Sequence, residues 1–510
     1  MKNRYLSMVF LGTIGLCSHS AYAISTTLQS MSDSELSATT GQALMSLSYI
    51  APTDNANLMK NISGSNNIGF YKLGMEAKVE LNANIKNLQL GCGGVNGAGG
   101  CDIDIKNLSL SGLPDSYDAN GSPVFNSRAS TDATITNPFI QFAIQNPNSA
   151  STRQVVGLQL GAAAISGLLT AGTSNSATPS TTDGIQSLSG FMQIASTTGT
   201  AVTQAATFGK GASNQTLSGY ANISGLGNAS FVSDPSNSKT TGITIPSMTV
   251  PFTLPSFPIN GVRQTQANVQ NIMANIPIIP IAPQTGCTGN ITGTNLACGS
   301  GNTTWGNDQL YVDLGCNAPG AGLCGLITAV VPNTVFKMAN DSSITNLKMN
   351  ITFNQALSMI HNIPLTGTGG YLSLQSQKLL WPGATVAASD QNVNNLNAMS
   401  SGTDVAQPGW WMSFAEPVQL GKLNVTNPVD ISSVLPQVAQ MASDQLKTSP
   451  YTYVSFGSAI GALTGAPIVQ QINIDLGAYT TTNPATLTLQ NQQLNNQKVI
   501  SNCYGSLSFC

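Results

Sequence analysis

Two glycine-rich stretches bounded by cysteines constrain this chain more than any other feature of its sequence. The first reads LGCGGVNGAGGC, from Leu90 to Cys101, and the second reads LGCNAPGAGLC, from Leu314 to Cys324. Both share the order L-G-C, then G-A-G, then a closing cysteine. The fold must therefore bring two cysteines together across a short glycine-rich loop at two distant points of the chain.

The remaining cysteines also occur as close neighbours. Apart from Cys17, eight cysteines form four couples separated by 7 to 11 residues: Cys92 and Cys101, Cys287 and Cys298, Cys316 and Cys324, Cys503 and Cys510. The first and last couples have no nearby competitors, whereas the four middle cysteines could pair in more than one way. Because C-x₂-C spacing and neighbouring histidines are missing, the pattern predicts structural disulfides rather than a metal site.

The arms of the first stretch align as an antiparallel hairpin. The predicted facing pairs are Leu90 with Ile103, Leu88 with Ile105, Ile85 with Leu108, and Ala83 with Leu110. Both arms read I-K-N-L-x-L, and both change apolar parity at the same level. Because side chains alternate between faces along a strand, this matched change predicts a twisting hairpin with paired bulges at the switch. The second stretch predicts a similar hairpin, with Leu314 facing Leu326, Val312 facing Thr328, and Leu310 facing Val330.

The first 23 residues predict export. Lys2 and Arg4 precede an apolar run, and the segment ends in Ala21-Tyr22-Ala23, a pattern that signal peptidase cleaves. The apolar run is too short for a membrane span. A lipoprotein signal is disfavoured, because Leu16 stands where a small residue should precede Cys17. Cleavage after Ala23 is predicted, which places the mature chain in an oxidising compartment.

Charged residues are scarce. They make up 8% of the chain, against roughly a quarter in ordinary soluble proteins. Removal of Lys2 and Arg4 leaves 16 basic residues against 21 acidic ones, a net charge of −5. This composition lacks the basic footprint of a nucleic-acid-binding protein, so no nucleic-acid partner is predicted. The polar surface must consist largely of Ser, Thr, Asn, Gln and Gly, which is typical of secreted β-rich proteins.

The residue pattern predicts a mainly β fold, with antiparallel sandwich-like or extended sheets, disulfide-pinned hairpins and a few short amphipathic helices. The predicted organisation is a signal peptide (1–23), an N-terminal segment (24–50), a first β-rich domain (51–240), a Pro-rich connector (241–286) and a second β-rich domain with short helices (287–510). Repeated proline in the connector excludes a central strand there and favours edge strands or an extended linker.

Three segments carry apolar residues at helical spacing. They are ANVQNIMANI (267–276), FNQALSMIHNI (353–363) and SSVLPQVAQMASDQL (432–446), the last with serine as a cap before Pro436. Each predicts a short helix that covers a sheet.

The stretch MSDSELSATTGQALMSLSYI, from Met31 to Ile50, resembles the mature start of a group of Gram-negative secreted surface proteins, among them Fil-type pilus components. The resemblance rests on the motif E-L-S-x-x-T-G-Q. It implies an exported, β-rich protein associated with the cell surface. It carries no catalytic residues that could be transferred to this chain.

Few side chains offer catalytic or ligand chemistry. His361 is the one histidine that follows the predicted leader, and no G-x-S-x-G motif accompanies it, so it is interpreted as a surface or helix-end residue. The stretch SYDANGSPVFNS (116–127) resembles a calcium loop but has serine at both ends. Asp102 and Asp104 are interpreted as a solvated strand face. The sequence therefore predicts neither an enzyme, nor a cofactor, nor a metal site.

Trp410 and Trp411, in GWWMSF, form the candidate adhesive contact. On a strand, adjacent residues point to opposite faces, so one ring faces inward and the other outward. An outward tryptophan offers a large amphipathic surface to a partner.

Together these patterns favour a non-enzymatic surface protein, structural or adhesive, such as a fimbria- or pilus-associated subunit or a biofilm matrix component. Its expected partners are other surface or pilus subunits, outer-membrane components or further copies of itself. The expected location is the cell surface, the extracellular space or the outer membrane, ahead of the periplasm. Two alternatives stay open. An outer-membrane β-barrel would need aromatic girdles, and a binding module for an apolar ligand would need a groove between amphipathic strands.

Overall fold

Strands dominate the structure, which confirms the predicted mainly β fold class. The computed structural model describes residues 45–65, 67–94, 97, 100–285, 291–292, 297–298, 306–368 and 370–503. These residues contain 31 strands and four α-helices.

The strands and helices have the following bounds. The strands are β1 (Met45–Ile50), β2 (Ile68–Met75), β3 (Lys78–Leu81), β4 (Ala83–Leu90), β5 (Ile103–Ser111), β6 (Ser116–Tyr117), β7 (Pro123–Val124), β8 (Ala133–Gln145), β9 (Gln154–Ala171), β10 (Gly184–Ile194), β11 (Thr197–Val202), β12 (Ala206–Phe208), β13 (Ser218–Ile223), β14 (Gly227–Ser233), β15 (Gly242–Ile245), β16 (Thr249–Leu254), β17 (Phe257–Gln264), β18 (Gln266–Pro280), β19 (Ile291–Thr292), β20 (Ala297–Cys298), β21 (Asp308–Gly315), β22 (Asn333–Met338), β23 (Ser343–Ala356), β24 (Asn362–Thr368), β25 (Gly370–Gln375), β26 (Gly409–Val418), β27 (Leu423–Asn424), β28 (Thr452–Val454), β29 (Ile468–Gln470), β30 (Asn473–Asp475) and β31 (Ala485–Gln490). The helices are α1 (Cys324–Val330), α2 (Leu435–Leu446), α3 (Phe456–Leu463) and α4 (Gly477–Thr482).

The largest sheet has twelve strands. Its main path runs β1-β2-β8-β9-β25-β26-β10-β5-β4, with β3 on β8, β17 on β10 and β24 on β9. The long strand β9 pairs with β25 through its first half and with β5 through its second half. The pairings of β9, β25, β26, β10 and β5 therefore close into a ring. Glycine permits the close approach, since a Cβ added at Gly167 of β9 would lie 2.5 Å from the carbonyl oxygen of Ser111.

Smaller sheets share one apolar core with this ring. An eight-stranded sheet follows β12-β15-β21-β14-β13-β28, with β22 on β21 and β29 on β22. A four-stranded sheet contains β18, β23, β30 and β31, and a three-stranded sheet contains β16, β11 and β27. The core joins side chains from all of them and from α2, including Ile103, Phe231, Phe252, Phe353 and Val438.

The first cysteine stretch forms the predicted hairpin. β4 and β5 pair with all four predicted facing pairs in place, and a disulfide joins Cys92 to Cys101. The parity change occurs at Asn107, whose φ of 55° lies in the left-handed region that asparagine tolerates. Ile105 and Leu108 are therefore both buried although they lie three residues apart. The register is the same on both sides of the switch, and the ladder of paired residues omits Lys86 and Asn107 there; the predicted paired bulges stay a prediction.

The second cysteine stretch keeps its disulfide but not its predicted hairpin. Cys316 and Cys324 are joined, yet the residues from Cys324 onward form α1, and β21 pairs with the later strand β22. The alternation of β22 explains this choice, because Thr334, Phe336 and Met338 are buried and their neighbours are not. The predicted pairs Leu314–Leu326, Val312–Thr328 and Leu310–Val330 are therefore wrong.

The other predicted cysteine pairs are only partly covered by the described residues. Cys503 is disulfide-bonded, while its predicted partner Cys510 lies outside the described residues. Cys298 ends the short strand β20, and Cys287 again lies outside the described residues. The pairing of these cysteines stays a prediction.

One of the three predicted helices is confirmed. α2 buries Val438, Met441 and Ala442 along the predicted stripe. The segment 267–276 instead belongs to β18, and 353–363 contains the end of β23, a single 3-10 turn and the start of β24.

The wrong helix prediction in β18 has a local cause. Asn271 has a φ of 60° and shifts the register between Val269 and Ile272. Val269 and Ile272 are both buried. Two residues that face the core therefore lie three positions apart, which is the spacing expected of a helix.

The strands do not follow the predicted division into two β-rich domains. Residues Met45–Cys510 form one compact unit. β25 and β26, from the predicted second domain (287–510), pair with β9 and β10 from the predicted first domain (51–240). The predicted connector (241–286) contains β15 to β18. Pro251, Pro258, Pro277 and Pro280 lie on edge strands as expected, because β16, β17 and β18 each pair with one strand among the described residues. The prediction that the connector excludes a central strand is wrong, since β15 lies between β12 and β21.

Candidate functional site

An apolar surface covers one face of β1, β2, β8 and β9. Residues directly opposite each other across antiparallel strands share a face. One row of such residues consists of Leu47, Leu73, Ile140 and Leu160, and a second row consists of Tyr49, Tyr71, Phe142 and Leu158. These eight residues are called the outer apolar face.

Much of the outer apolar face is open to solvent. Leu47 is 78% exposed, while Ile140 is 40% and Leu160 43% exposed. Four strands about 4.8 Å apart, with rows about 7 Å apart, give the two rows a footprint on the order of 300 Å². Met45 and Met75 are paired and exposed beyond Leu47, and they extend the surface. Apolar patches of this size on soluble proteins are often functional.

The opposite face is largely covered on β2, β8 and β9, whereas on β1 Ser46 and Ser48 are exposed. Phe70 and Ala143 pack beneath the segment 379–406, and the ring centroids of Phe70 and Trp381 lie 5.6 Å apart. An antiparallel sheet with one covered face ordinarily presents polar side chains on the other. Here the exposed face is the apolar one, while the covered face also holds Lys72, Gln141 and Gln159, so packing of the core does not explain the outer apolar face.

The chemistry of the outer apolar face is aromatic and aliphatic, since none of its eight residues carries a charge. Tyr49 and Tyr71 stack with ring centroids 4.3 Å apart. Partial burial, together with the neighbouring Tyr71, raises the pKa of Tyr49. The Tyr49 phenol is therefore neutral near pH 7 and can donate a hydrogen bond at the rim of the face.

β1 forms an edge of the large sheet beside this face. Within the described residues it pairs only with β2, and Met45 to Tyr49 are exposed. An edge strand presents unpaired N–H and C=O groups, which makes it a template for a further strand. Backbone pairing and apolar contact are thus available side by side.

The two predicted adhesive tryptophans have different environments. Trp411 faces inward and is fully buried, so it is not available to a partner. Trp410 lies half-buried against the core, and its backbone N–H donates to Asp102 Oδ2 at 3.0 Å. The predicted alternation is as expected, but the outward ring is only partly accessible, and its adhesive role stays a prediction.

The acidic residues weighed as cation ligands have other roles. Asp102 is buried against Trp410, which differs from the predicted solvated strand face, whereas Asp104 pairs with Lys106 at 2.9 Å. Asp118 accepts the backbone N–H groups of Asn120 and Ser122 in a turn. Among the described residues, no group of three or more His, Cys, Asp or Glu side chains is arranged to hold a metal.

A buried carboxylate anchors the strands next to the outer apolar face. Asp404 accepts hydrogen bonds from Trp411 Nε1 at 2.8 Å and from the hydroxyls of Tyr371 and Ser413 at 2.6 Å each. Burial raises the pKa of Asp404, and the three donors oppose that shift. The network fixes the segment 379–406 to β25 and β26. Sequence patterns do not reveal this network, because Asp404 lies in a loop and its three hydrogen-bond donors lie on two strands.

His361 is buried, so its interpretation as a surface or helix-end residue is wrong. It precedes β24, and its Nδ1 lies 2.7 Å from the carbonyl oxygen of Ala171. The side chain of Gln497 accepts its backbone N–H at 2.8 Å. Burial lowers the pKa of His361, with the Ala171 carbonyl and the charge of Asp183 acting in the opposite direction. The neutral imidazole of His361 thus links the end of β9 to the start of β24.

We expect the protein to lose stability as the pH falls from about 7.5 to about 5. The unfolded chain binds a proton at His361 near pH 6.5, whereas the folded chain excludes it until a lower pH. Below pH 6.5 the unfolded state therefore holds more protons, and the free energy of unfolding decreases. Thermal unfolding of the wild type and of His361→Gln at both pH values measures the effect, since His361 is the one histidine among the described residues.

The drop in Tm should be smaller in His361→Gln than in the wild type. Asp404, whose raised pKa acts in the opposite direction, is present in both proteins and cancels in the comparison. Equal drops would show that His361 does not govern the acid sensitivity.

An interior cavity lies between the smaller sheets and α2. Its volume is about 40 Å³, and its lining is apolar apart from Thr203, with Met248, Phe252, Met349 and Val438 among the lining residues. An apolar cavity that binds benzene has a volume of about 150 Å³. The space is therefore a packing gap, too small for an apolar ligand of ordinary size.

The sequence contains a signal for the strands of the outer apolar face but not for the face itself. Leu47 and Tyr49, like Ile140 and Phe142, lie two residues apart, which is the period of a strand. Which face becomes covered depends on the segment 379–406, more than two hundred residues away from Phe142 in the chain.

Comparisons of the chain with protein-family models, with curated proteins and with solved structures find no match. Within the described part of the chain, no helix combines the length and the apolar character that crossing a membrane requires.

Proposed function

We propose that the protein is an exported, non-enzymatic component of the cell surface with a structural or adhesive role, as in a fimbria- or pilus-associated subunit or a biofilm matrix. The outer apolar face is the observation that carries this proposal, because an exposed sheet face of this size is better explained by a partner than by the core of the protein. The partners are other surface subunits, including copies of this chain, or outer-membrane components.

The contact through the outer apolar face is individually weak. Burial of about 300 Å² at about 25 cal/mol per Å² contributes roughly 7 kcal/mol, against a comparable loss of rigid-body freedom. Stable complexes bury about 800 Å² per partner. A weak contact becomes effective when many copies are tethered to one surface, because each contact then forms at a high effective concentration and the combined binding exceeds that of a single contact. A structural or adhesive layer provides that situation.

The edge strand β1 adds a polar component to the same contact. A strand of a neighbouring subunit that pairs with β1 would continue the sheet and bring its own side chains level with Leu47 and Tyr49. Main-chain pairing fixes the register, and the apolar rows supply the favourable burial.

The compartment proposed here is supported by independent features. The predicted leader ends at Ala23, and the disulfides Cys92–Cys101 and Cys316–Cys324 are suited to an oxidising environment. After the predicted cleavage, 16 basic and 21 acidic residues give a net charge of −5, and charged residues make up 8% of the full chain, so the exterior is largely polar and uncharged, suited to work outside the cell.

Immunogold electron microscopy on intact cells tests the location. We expect label on the outer surface or along filaments without any treatment of the cells. Label that appears only after the outer membrane is opened would contradict the proposal and favour a periplasmic role.

A further inference from the structure

We propose that one end of the eight-stranded sheet docks into the lipid surface of a membrane. The end consists of α1, α3 and the turn between β13 and β14, and it is called the sheet tip. This assignment goes beyond the proposed function, because the sheet tip is built from strands that do not carry the outer apolar face.

The pairing of the strands brings the two helices to the same end. β13 and β28 run parallel and end together, while β21 runs antiparallel to β14 and ends opposite Ser230, at the middle of β14. α1 follows β21 and α3 follows β28. The turn lies between them, since Leu226 O accepts the N–H of Leu323 at 3.0 Å and Ser224 N donates to Val454 O at 3.0 Å.

Each helix presents an apolar stripe to solvent. Residues three or four positions apart share one face of a helix. The exposed stripe of the α1 region consists of Leu323, Leu326 and Val330, and that of α3 consists of Phe456, Ile460 and Leu463. Cys324 of α1 and Ala462 of α3 are buried, so the opposite side of each helix packs against the protein. The stripes are therefore fixed outward by packing, and the disulfide Cys316–Cys324 pins the start of α1.

The sheet tip is open to solvent. An added Cβ at Gly225, Gly325 or Gly457 would meet no heavy atom of the described chain within 4 Å apart from its chain neighbours and the backbone of its own helix. Leu326 is 64% exposed and Val330 is 68% exposed. An exposed apolar tip of this kind suits insertion into a soft medium, whereas a protein partner would need a complementary surface.

The absence of charge identifies the lipid chemistry. No Asp, Glu, Lys, Arg or His occurs in 211–233, 314–336 or 448–474, the segments that form the tip and its flanks. Interfacial helices that bind anionic lipid carry Lys or Arg on their polar face. This tip has none, so its attraction is to the acyl region beneath zwitterionic headgroups. At about 1.5 Å per residue, helices of this length enter one leaflet and do not cross a hydrocarbon core of about 30 Å.

Flotation of the purified, disulfide-bonded protein with phosphatidylcholine vesicles tests the proposal. The wild type should float with the vesicles, and adding phosphatidylglycerol should not strengthen binding. Two variants probe the helices separately, Leu326→Asn with Val330→Asn, and Phe456→Asn with Ile460→Asn. Each should lower the partition coefficient by at least about tenfold, because two apolar side chains lose their burial.

A matched variant provides the control for the sheet tip. Val262→Asn removes an exposed apolar residue of β17, outside both surfaces, and should leave vesicle binding unchanged. The proposal is overturned if the wild type does not float, if binding requires anionic lipid, if both tip variants float like the wild type, or if Val262→Asn abolishes binding. Since the substituted residues are exposed, urea unfolding should show that each variant is as stable as the wild type. Because each helix has its own variant, the proposal can still be tested if one of the two variants misfolds.

Discussion

Asp404→Ala is expected to reduce the free energy of unfolding by about 3–5 kcal/mol. The carboxylate accepts hydrogen bonds from Trp411, Tyr371 and Ser413 in a buried site. Alanine removes the acceptor and leaves these donors without a partner away from water. The loss should be large because each unsatisfied buried donor costs about 1–3 kcal/mol.

Urea unfolding of three variants measures this effect. Asp404→Asn should lose less than Asp404→Ala, since its carbonyl oxygen can still accept from Trp411 and its amide can donate to the two hydroxyl oxygens. Asp118→Ala is the exposed control, because Asp118 accepts only backbone N–H groups in a surface turn. A loss below about 1 kcal/mol for Asp404→Ala, similar to that of the control, would contradict the anchoring role.

The second large effect is expected at the outer apolar face. Leu73→Lys with Ile140→Lys places two charges in the centre of one row. If this face contacts a partner at the cell surface, the fraction of protein retained on washed cells should fall at least about tenfold, because burying either side chain is worth about 1.5–3 kcal/mol. Since both residues are exposed in the folded chain, its stability to urea should change little.

Val262→Lys provides the matched control for the outer apolar face. Val262 is exposed by 42% on β17, a strand at another edge of the large sheet. Its retention on cells should equal that of the wild type. Equal loss from both variants would indicate a general effect of added charge, and no loss from either would remove the proposed role of the face.

The first hairpin was predictable because its information is local. Cysteine spacing and matched parity in two neighbouring arms determine the register of β4 and β5. The second stretch shows where such reasoning fails. Its cysteines do pair, but the partner of β21 is selected by the alternation of β22, which lies beyond the closing cysteine.

A left-handed asparagine explains why the strand segment 267–276 resembled a helix, and the same feature recurs in two other strands. Asn107, Asn271 and Asn346 all have left-handed φ angles inside strands. Each is preceded by a buried apolar residue two positions earlier and followed at once by another. The resulting spacing of three resembles a helix, although a left-handed asparagine between extended residues produces it.

The buried polar residues could not have been located from sequence. Asp404 and His361 stand in segments without a distinctive motif. The carbonyl partner of His361 lies 190 residues away, and two partners of Asp404 lie 7 and 9 residues away on β26, at a spacing that no motif marks. Likewise, periodicity predicts that β1 and β8 have two faces but not which face the segment 379–406 covers. These features depend on tertiary pairing, which a pattern within one strand does not contain.

Cysteine labelling on intact cells tests the central claim most directly, that an exported protein covers its outer apolar face at the cell surface. Ile140→Cys and Val262→Cys would each be treated with a membrane-impermeant maleimide, on cells and as purified protein. We predict that both positions react in the purified protein, that Val262→Cys also reacts on intact cells, and that Ile140→Cys is protected there. A failure of Val262→Cys to react until the outer membrane is opened would contradict the surface location, and equal reaction of both positions on cells would contradict the covered face.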